Sequence, residues 1–183
     1  LLELLLAVAV VLVLAALLLP VLSVARQASR RTQCLSQIRQ LGMAFLVYAS
    51  DHEGFLPHED NGDSLPPFGC GWYEVLEADC RQCPGIQGQA TWRSYKMNSL
   101  LEDGSVAFLY LSSVAEPSRT VLAFDGRIEN QGVKMLPKGT WDLAAPRHGT
   151  GTTLVFCDGH AAWVRARFDA AGWDGPNGLE WSP

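Results

Sequence analysis

The chain has 183 residues, enough for one ordinary domain and an appendage. Its charge is split: residues 1–50 hold four Arg and one Glu, net +3, whereas residues 51–183 hold ten Lys plus Arg against eighteen Asp plus Glu, net −8. An acidic head excludes a nucleic-acid backbone as partner, because that calls for a basic face.

The chain opens on an apolar run. Leu4 to Leu19 contains no polar side chain, Glu3 stands alone in front of it, Pro20 closes it, and Arg26, Arg30 and Arg31 follow. Residues 1–25 as a helix reach about 37 Å at about 1.5 Å per residue, enough to cross a bilayer core. Neither an initiator Met nor a basic n-region precedes the run, and no A-x-A cleavage site follows it before Arg26. The segment is therefore expected to be retained, with the basic collar at an anionic lipid surface and the acidic head outside the cytoplasm. Pro20 removes one helical hydrogen bond and predicts a kink or local melting.

From Arg26 the pattern becomes amphipathic. Leu35, Ile38, Leu41, Phe45, Tyr48 and Ala49 recur at three- and four-residue intervals, with Gln33, Gln37, Arg39 and Gln40 between them. The two halves predict one rod over residues 1–53, an apolar stem (1–25) running into a packing half (26–53), with Gly54 at C′. A head over residues 54–183 follows.

Residues 54–71 read as loop, 72–79 as a short helix, and 80–88 as loop again. An extended piece is expected over 93–98, residues 99–113 are ambiguous, Glu116-Pro117-Ser118 is a turn, and 120–124 is a strand closed by Asp125-Gly126. Two apolar runs, 152–157 and 160–165, flank Asp158-Gly159 and predict a β-hairpin with a type I′ turn. Residues 169–183 read as irregular. The fold class is α+β, a long helix packed on a small antiparallel sheet.

The opening Leu1-Leu2-Glu3-Leu4-Leu5, with the apolar run to Leu17-Leu18-Leu19-Pro20, resembles the N-terminus of a type IV pilin or type II secretion pseudopilin. Arg31-Thr32-Gln33-Cys34-Leu35, Gln40-Leu41-Gly42, Cys83-Pro84 and Ser94-Tyr95-Lys96-Met97-Asn98 resemble a branch described as prepilin-type H-X9-DG proteins, and the naming motif is present as His148, nine residues, then Asp158-Gly159. The resemblance spans roughly residues 1–167, with about two residues missing before Leu1. It implies a structural subunit of a type IV pilus-like filament. Such a subunit is processed and N-methylated by a prepilin peptidase, and held in the inner membrane before assembly. Assembly machinery then extracts it into a periplasmic or cell-surface homo-oligomer. Alternatives are a minor pseudopilin of a type II secretion apparatus and a membrane-anchored binding protein that never polymerises.

The same resemblance assigns assembly roles to Glu3, whose carboxylate would pair with a neighbouring subunit's amino terminus, and to Pro20, where the helix would unwind. His148, Asp158 and Gly159 form a structural motif in which His148 pins a loop through Asp158 or the backbone. Related pseudopilins hold calcium, but no dense Asp-x-Asp run supplies the six to eight oxygens it takes. No cofactor is expected, and Asp125, Asp158 and His148 are the residues a metal would use. Outside the cytoplasm the cysteines are expected to pair as Cys34–Cys83 and Cys70–Cys80, leaving Cys157 as a buried thiol. Cys80-x-x-Cys83 lacks the second pair of a zinc site. No catalytic motif appears, so no enzyme activity is expected, and the six Trp are expected in core and subunit contacts.

Overall fold

The structure, a computed structural model, describes residues 1–57, 76, 83–86, 94–98, 101, 110–126, 138–139, 147–165, 167–169, 172–174 and 179. The expected helix over 72–79, Leu76 excepted, and most of the 54–71 loop fall outside the described residues.

One helix, α1 (Leu2–Asp51), carries both the stem and the packing half. Its 50 residues span about 75 Å. The local melting expected at Pro20 is absent from the single chain, where α1 is helical on both sides of it. Proline removes only one i→i−4 bond, and the Leu, Val and Ala on either side hold the remaining turns. Ser23 Oγ donates to the Pro20 carbonyl at 2.8 Å, one turn back along the helix. At the far end the capping glycine sits one position later than expected. His52 is the C-cap, Glu53 takes C′ at φ 57°, and Gly54 follows at φ 93°. The Gly54 N–H donates to Ala49 O at 2.7 Å, the long bond of a Schellman ending.

The buried side of α1 is Cys34, Ile38, Leu41, Gly42, Phe45 and Ala49; of the stripe expected from the 3.6-residue period, Leu35 and Tyr48 are only partly buried at its flanks, and Cys34 and Gly42 join it. It lies on a sheet of β1 (Tyr95–Asn98), β2 (Val121–Asp125), β3 (Lys138–Gly139), β4 (Gly151–Phe156) and β5 (Ala161–Arg165), in the order β3-β1-β2-β4-β5. Pairs β1–β2, β2–β4 and β4–β5 are antiparallel, as expected, and β3 adds a two-residue parallel edge. The arrangement is α+β.

Both faces of the central strands are buried. Tyr95, Met97, Leu122, Ala123 and Val155 pack with the α1 stripe, while Val121, Phe124, Leu154 and Phe156 form a second cluster with Ala162, Val164 and Leu179. Consecutive strand residues normally point to opposite faces. Leu122 and Ala123 share a face because a register shift between Val121 and Ala123 puts an extra residue into β2. Beyond that bulge the alternation resumes, which turns Asp125 toward α1.

Gly42 sets the depth of this packing. A Cβ there would meet Val155 Cγ2 at 2.3 Å, so β4 approaches the helix backbone as only glycine permits. The hairpin joining β4 to β5 is present, but its turn is not type I′. That turn needs positive φ at both central residues, and among the described residues only Glu53 is a non-glycine with positive φ. The loop is Cys157-Asp158-Gly159, closed by Gly159 N–H to Phe156 O at 2.8 Å, with Gly159 alone left-handed at φ 86°, the pattern of a three-residue hairpin ending in a glycine bulge. Asp158 Oδ1 accepts from the His160 N–H at 3.0 Å, which favours the longer loop.

The C-terminal region is more regular than its glycines suggest. β6 (Arg167–Asp169) and β7 (Gly172–Asp174) pair antiparallel, with Asp169 opposite Gly172, a two-residue connection whose reach is short enough for local pairing. The rest of 169–183, Leu179 excepted, lies outside the described residues.

Candidate functional site

Two features remain after the fold is accounted for: an uncovered stem and a buried cluster of polar donors.

The stem is a helix of mean hydropathy 3.2 over an 18-residue window, none of it buried by the rest of the chain. Leu12, Val13, Leu17, Leu18 and Leu19 are among its exposed side chains. It is long and apolar enough to cross a membrane. Glu3 lies in the first turn of α1, where a carboxylate faces the positive end of the helix dipole. Pro20 lies inside the helix, which runs through it in the single chain.

The cluster forms where α1 crosses the sheet. Cys34 comes from the α1 stripe, Cys83 from the 83–86 segment, Asp125 from the end of β2 and His148 from the segment before β4. One donor atom from each lies within 4.8 Å of each of the others. Cys83 Sγ is 3.0 Å from His148 Nε2, and Cys34 Sγ is 4.0 Å from Asp125 Oδ2. Thr153 Oγ1 and the Tyr95 hydroxyl approach Cys34 Sγ at 3.1 and 3.2 Å, and the Gly85 N–H donates to Cys83 Sγ at 3.4 Å. The strands explain the convergence. Tyr95 is opposite Asp125 in the β1–β2 register, and Thr153 shares a face with Val155, so all three point at α1.

The electrostatics are those of a crowded acidic pocket. The hydrogen bond from Cys83 pulls the Cys34 thiol below its ordinary range against the effect of burial, and the same bond with burial pushes Cys83 up. Burial, offset by the Arg147 guanidinium, pushes the Asp125 carboxyl up to about 7. Burial and the nearby Cys34 push the Tyr95 hydroxyl up. Asp125 is fully buried, yet its Oδ1 has no hydrogen-bond partner among the described residues. Arg147 Nε stands 3.6 Å from that oxygen, in ion-pair range but beyond a hydrogen bond, and another of its guanidinium nitrogens binds the Gly126 carbonyl. The ion pair offsets charge, and the oxygen's lone pairs stay unused.

Cys34 and Cys83 are brought together as expected, but as free thiols rather than a disulfide. Cys70 and Cys80 lie outside the described residues, and Cys157 is a buried free thiol. His148 does not reach Asp158. They lie at opposite ends of β4, whose six residues span about 20 Å, and Asp158 pairs instead with His160, Oδ1 to Nδ1 at 2.6 Å. The His-to-Asp-Gly spacing is thus one strand crossing the sheet, with His148 at the buried cluster and Asp158-Gly159 at the hairpin. Of the candidate metal residues, Asp125 and His148 meet and Asp158 does not join them. Sequence reasoning left Cys34 and Cys83 out of any metal set. The available signal was Cys34 on the buried stripe of α1 and Asp125 ending the apolar run Val121-Leu122-Ala123-Phe124.

A family model described as "Protein of unknown function (DUF1559)" matches residues 23–76, a family associated with prepilin-like H-X9-DG proteins. No curated protein and no solved structure matches the chain. The matched stretch includes the packing half of α1 and Cys34, and with the apolar stem it is compatible with a pilin-like surface protein.

Proposed function

We propose that this chain is a structural subunit of a type IV pilus-like filament that polymerises through its apolar N-terminal helix. The observation that carries the reading is one unbroken helix, α1, with its first half wholly uncovered and its second half built into the head. A membrane anchor needs only the first half. Rigid continuity into the core makes any movement of the stem a movement of the whole head, as a filament subunit requires. The stem faces lipid first and neighbouring stems afterwards. Lipid is already as apolar as the stem, so little hydrophobic free energy favours the transfer, and assembly calls for extraction machinery and a polar lock. Glu3 supplies that lock, because a carboxylate within an apolar bundle costs several kcal/mol unless partnered, and a neighbour's amino terminus is the available cation. Glu3→Leu is expected to leave the protein membrane-associated at wild-type abundance while filaments disappear. Normal filaments from this variant would remove Glu3 from the account. The test compares membrane fractions with sheared surface material.

A further inference from the structure

The four donors of the buried cluster have no use in the filament reading. We infer that Cys34, Cys83, Asp125 and His148 form a binding site for one zinc ion, tetrahedral and closed, which fastens α1 to the head.

The donor set selects the metal. Two sulfurs, one imidazole nitrogen and one carboxylate oxygen suit zinc, whereas calcium and magnesium take oxygen ligands. With metal–ligand bonds of about 2.0–2.3 Å, the edges of a tetrahedron are about 3.3–3.8 Å. The cluster has its donor atoms within 4.8 Å of one another, with Cys83–His148 at 3.0 Å and Cys34–Asp125 at 4.0 Å, so sub-ångström shifts of side chains give the geometry. A disulfide would use only the two sulfurs and leave a buried carboxylate and imidazole beside it.

The surroundings fit a bound cation as well. Asp125 turns Oδ2 toward Cys34 and Oδ1 toward Arg147. Two thiolates, one carboxylate and a neutral imidazole carry −3; zinc brings this to −1, and the Arg147 guanidinium offsets the remainder. The Gly85 N–H, the Thr153 hydroxyl and the Tyr95 hydroxyl supply the outer donors that hold metal-bound thiolates in place. Binding is an exchange without oxidation. Zn²⁺ enters, the protons held by the thiols and by the Asp125 carboxyl leave to solvent, and four coordinate bonds form. All four positions are filled by protein, so the ion is structural. Its ligands come from the helix, the 83–86 segment, β2 and the approach to β4, joining four parts of the chain that are distant in sequence.

The test uses the full chain in detergent micelles, reduced with a phosphine, stripped with a chelator, and then given zinc or cobalt(II) alone. The expected result is one equivalent of zinc per chain and, with cobalt, thiolate-to-metal charge-transfer bands with the intense visible bands of a tetrahedral site. Cys83→Ser and His148→Ala should each weaken binding at least tenfold. Cys70→Ser/Cys80→Ser, which removes the two cysteines beyond the described residues, should keep the wild-type cobalt spectrum. Because the spectrum is read on the unaltered chain, the proposal does not depend on a variant folding. A folded wild-type chain that takes up no cobalt would overturn it. So would an octahedral spectrum, or binding that is lost with Cys70 and Cys80 and kept in Cys83→Ser. A Cys34–Cys83 disulfide in protein isolated without reductant, with zinc absent, would also overturn it in favour of the covalent staple.

Discussion

Gly42 shows how one missing methyl group sets the geometry of the head. Ala at this position adds helix propensity worth up to about 1 kcal/mol, but its Cβ would sit 2.3 Å from Val155 Cγ2. Both atoms belong to stiff elements, so the clash wins, and Gly42→Ala is expected to destabilise the head by about 1–3 kcal/mol. Val155→Ala in the same chain opens space for the new methyl. Chemical denaturation of the two single variants and the double should therefore show the double less destabilised than the sum of the singles. Cys157 gives a second check at this scale. Burial pushes its thiol from 9.0 up to about 12. A raised pKa on an acid means that the fold favours the neutral form. The stabilisation is present below pH 9 and declines as pH rises toward 12. At pH 8 the native chain should resist alkylation at Cys157, and denaturation should expose it, as mass mapping of the labelled site would show.

At the scale of elements, β4 and its turn carry the head. The strand packs on α1 through Val155 and on the second cluster through Leu154 and Phe156, and it separates His148 from Asp158-Gly159. Gly159 is left-handed at φ 86°, and a Cβ there would meet Leu46 Cδ1 at 2.6 Å. Gly159→Ala is expected to cost about 1–3 kcal/mol from backbone strain, with the thermal midpoint falling while the membrane association of the stem stays unchanged. This hairpin was legible in the sequence, because two apolar runs around Asp-Gly form a local signal. So was the α1 stripe, since Ile38, Leu41, Phe45 and Ala49 repeat at helical spacing. The turn type was not, because the Asp158 bond to the His160 N–H selects a longer loop that residue identity alone does not distinguish. Nor was the helix through Pro20, where flanking apolar residues outweigh one lost bond. The cluster was least legible. Its donors stand at 34, 83, 125 and 148, on four separate parts of the chain, and Asp125 turns toward α1 only because of the β2 bulge. The expected His148–Asp158 contact fails because the strand between them, itself legible as the apolar run 152–157, carries Asp158 to the far end of β4, where it pairs with His160.

For the whole molecule, a stem with no cover within its own chain continues without interruption into the core of an acidic head. Under the proposed function, membrane residence would satisfy the stem as a monomer, and bundling with other stems would satisfy it in a fibre. In the proposed filament, binding energy alone would hardly separate these two states, so a partner for Glu3 and the coupling of stem to head would decide between them. The most direct measurement is electron microscopy of sheared cell-surface material, labelled with an antibody against the head. The account predicts labelled fibres along their length with the stems at the centre. Finding the protein only as monomers in the membrane fraction, with no labelled fibres in cells that express it, would contradict the account and leave α1 as a permanent anchor.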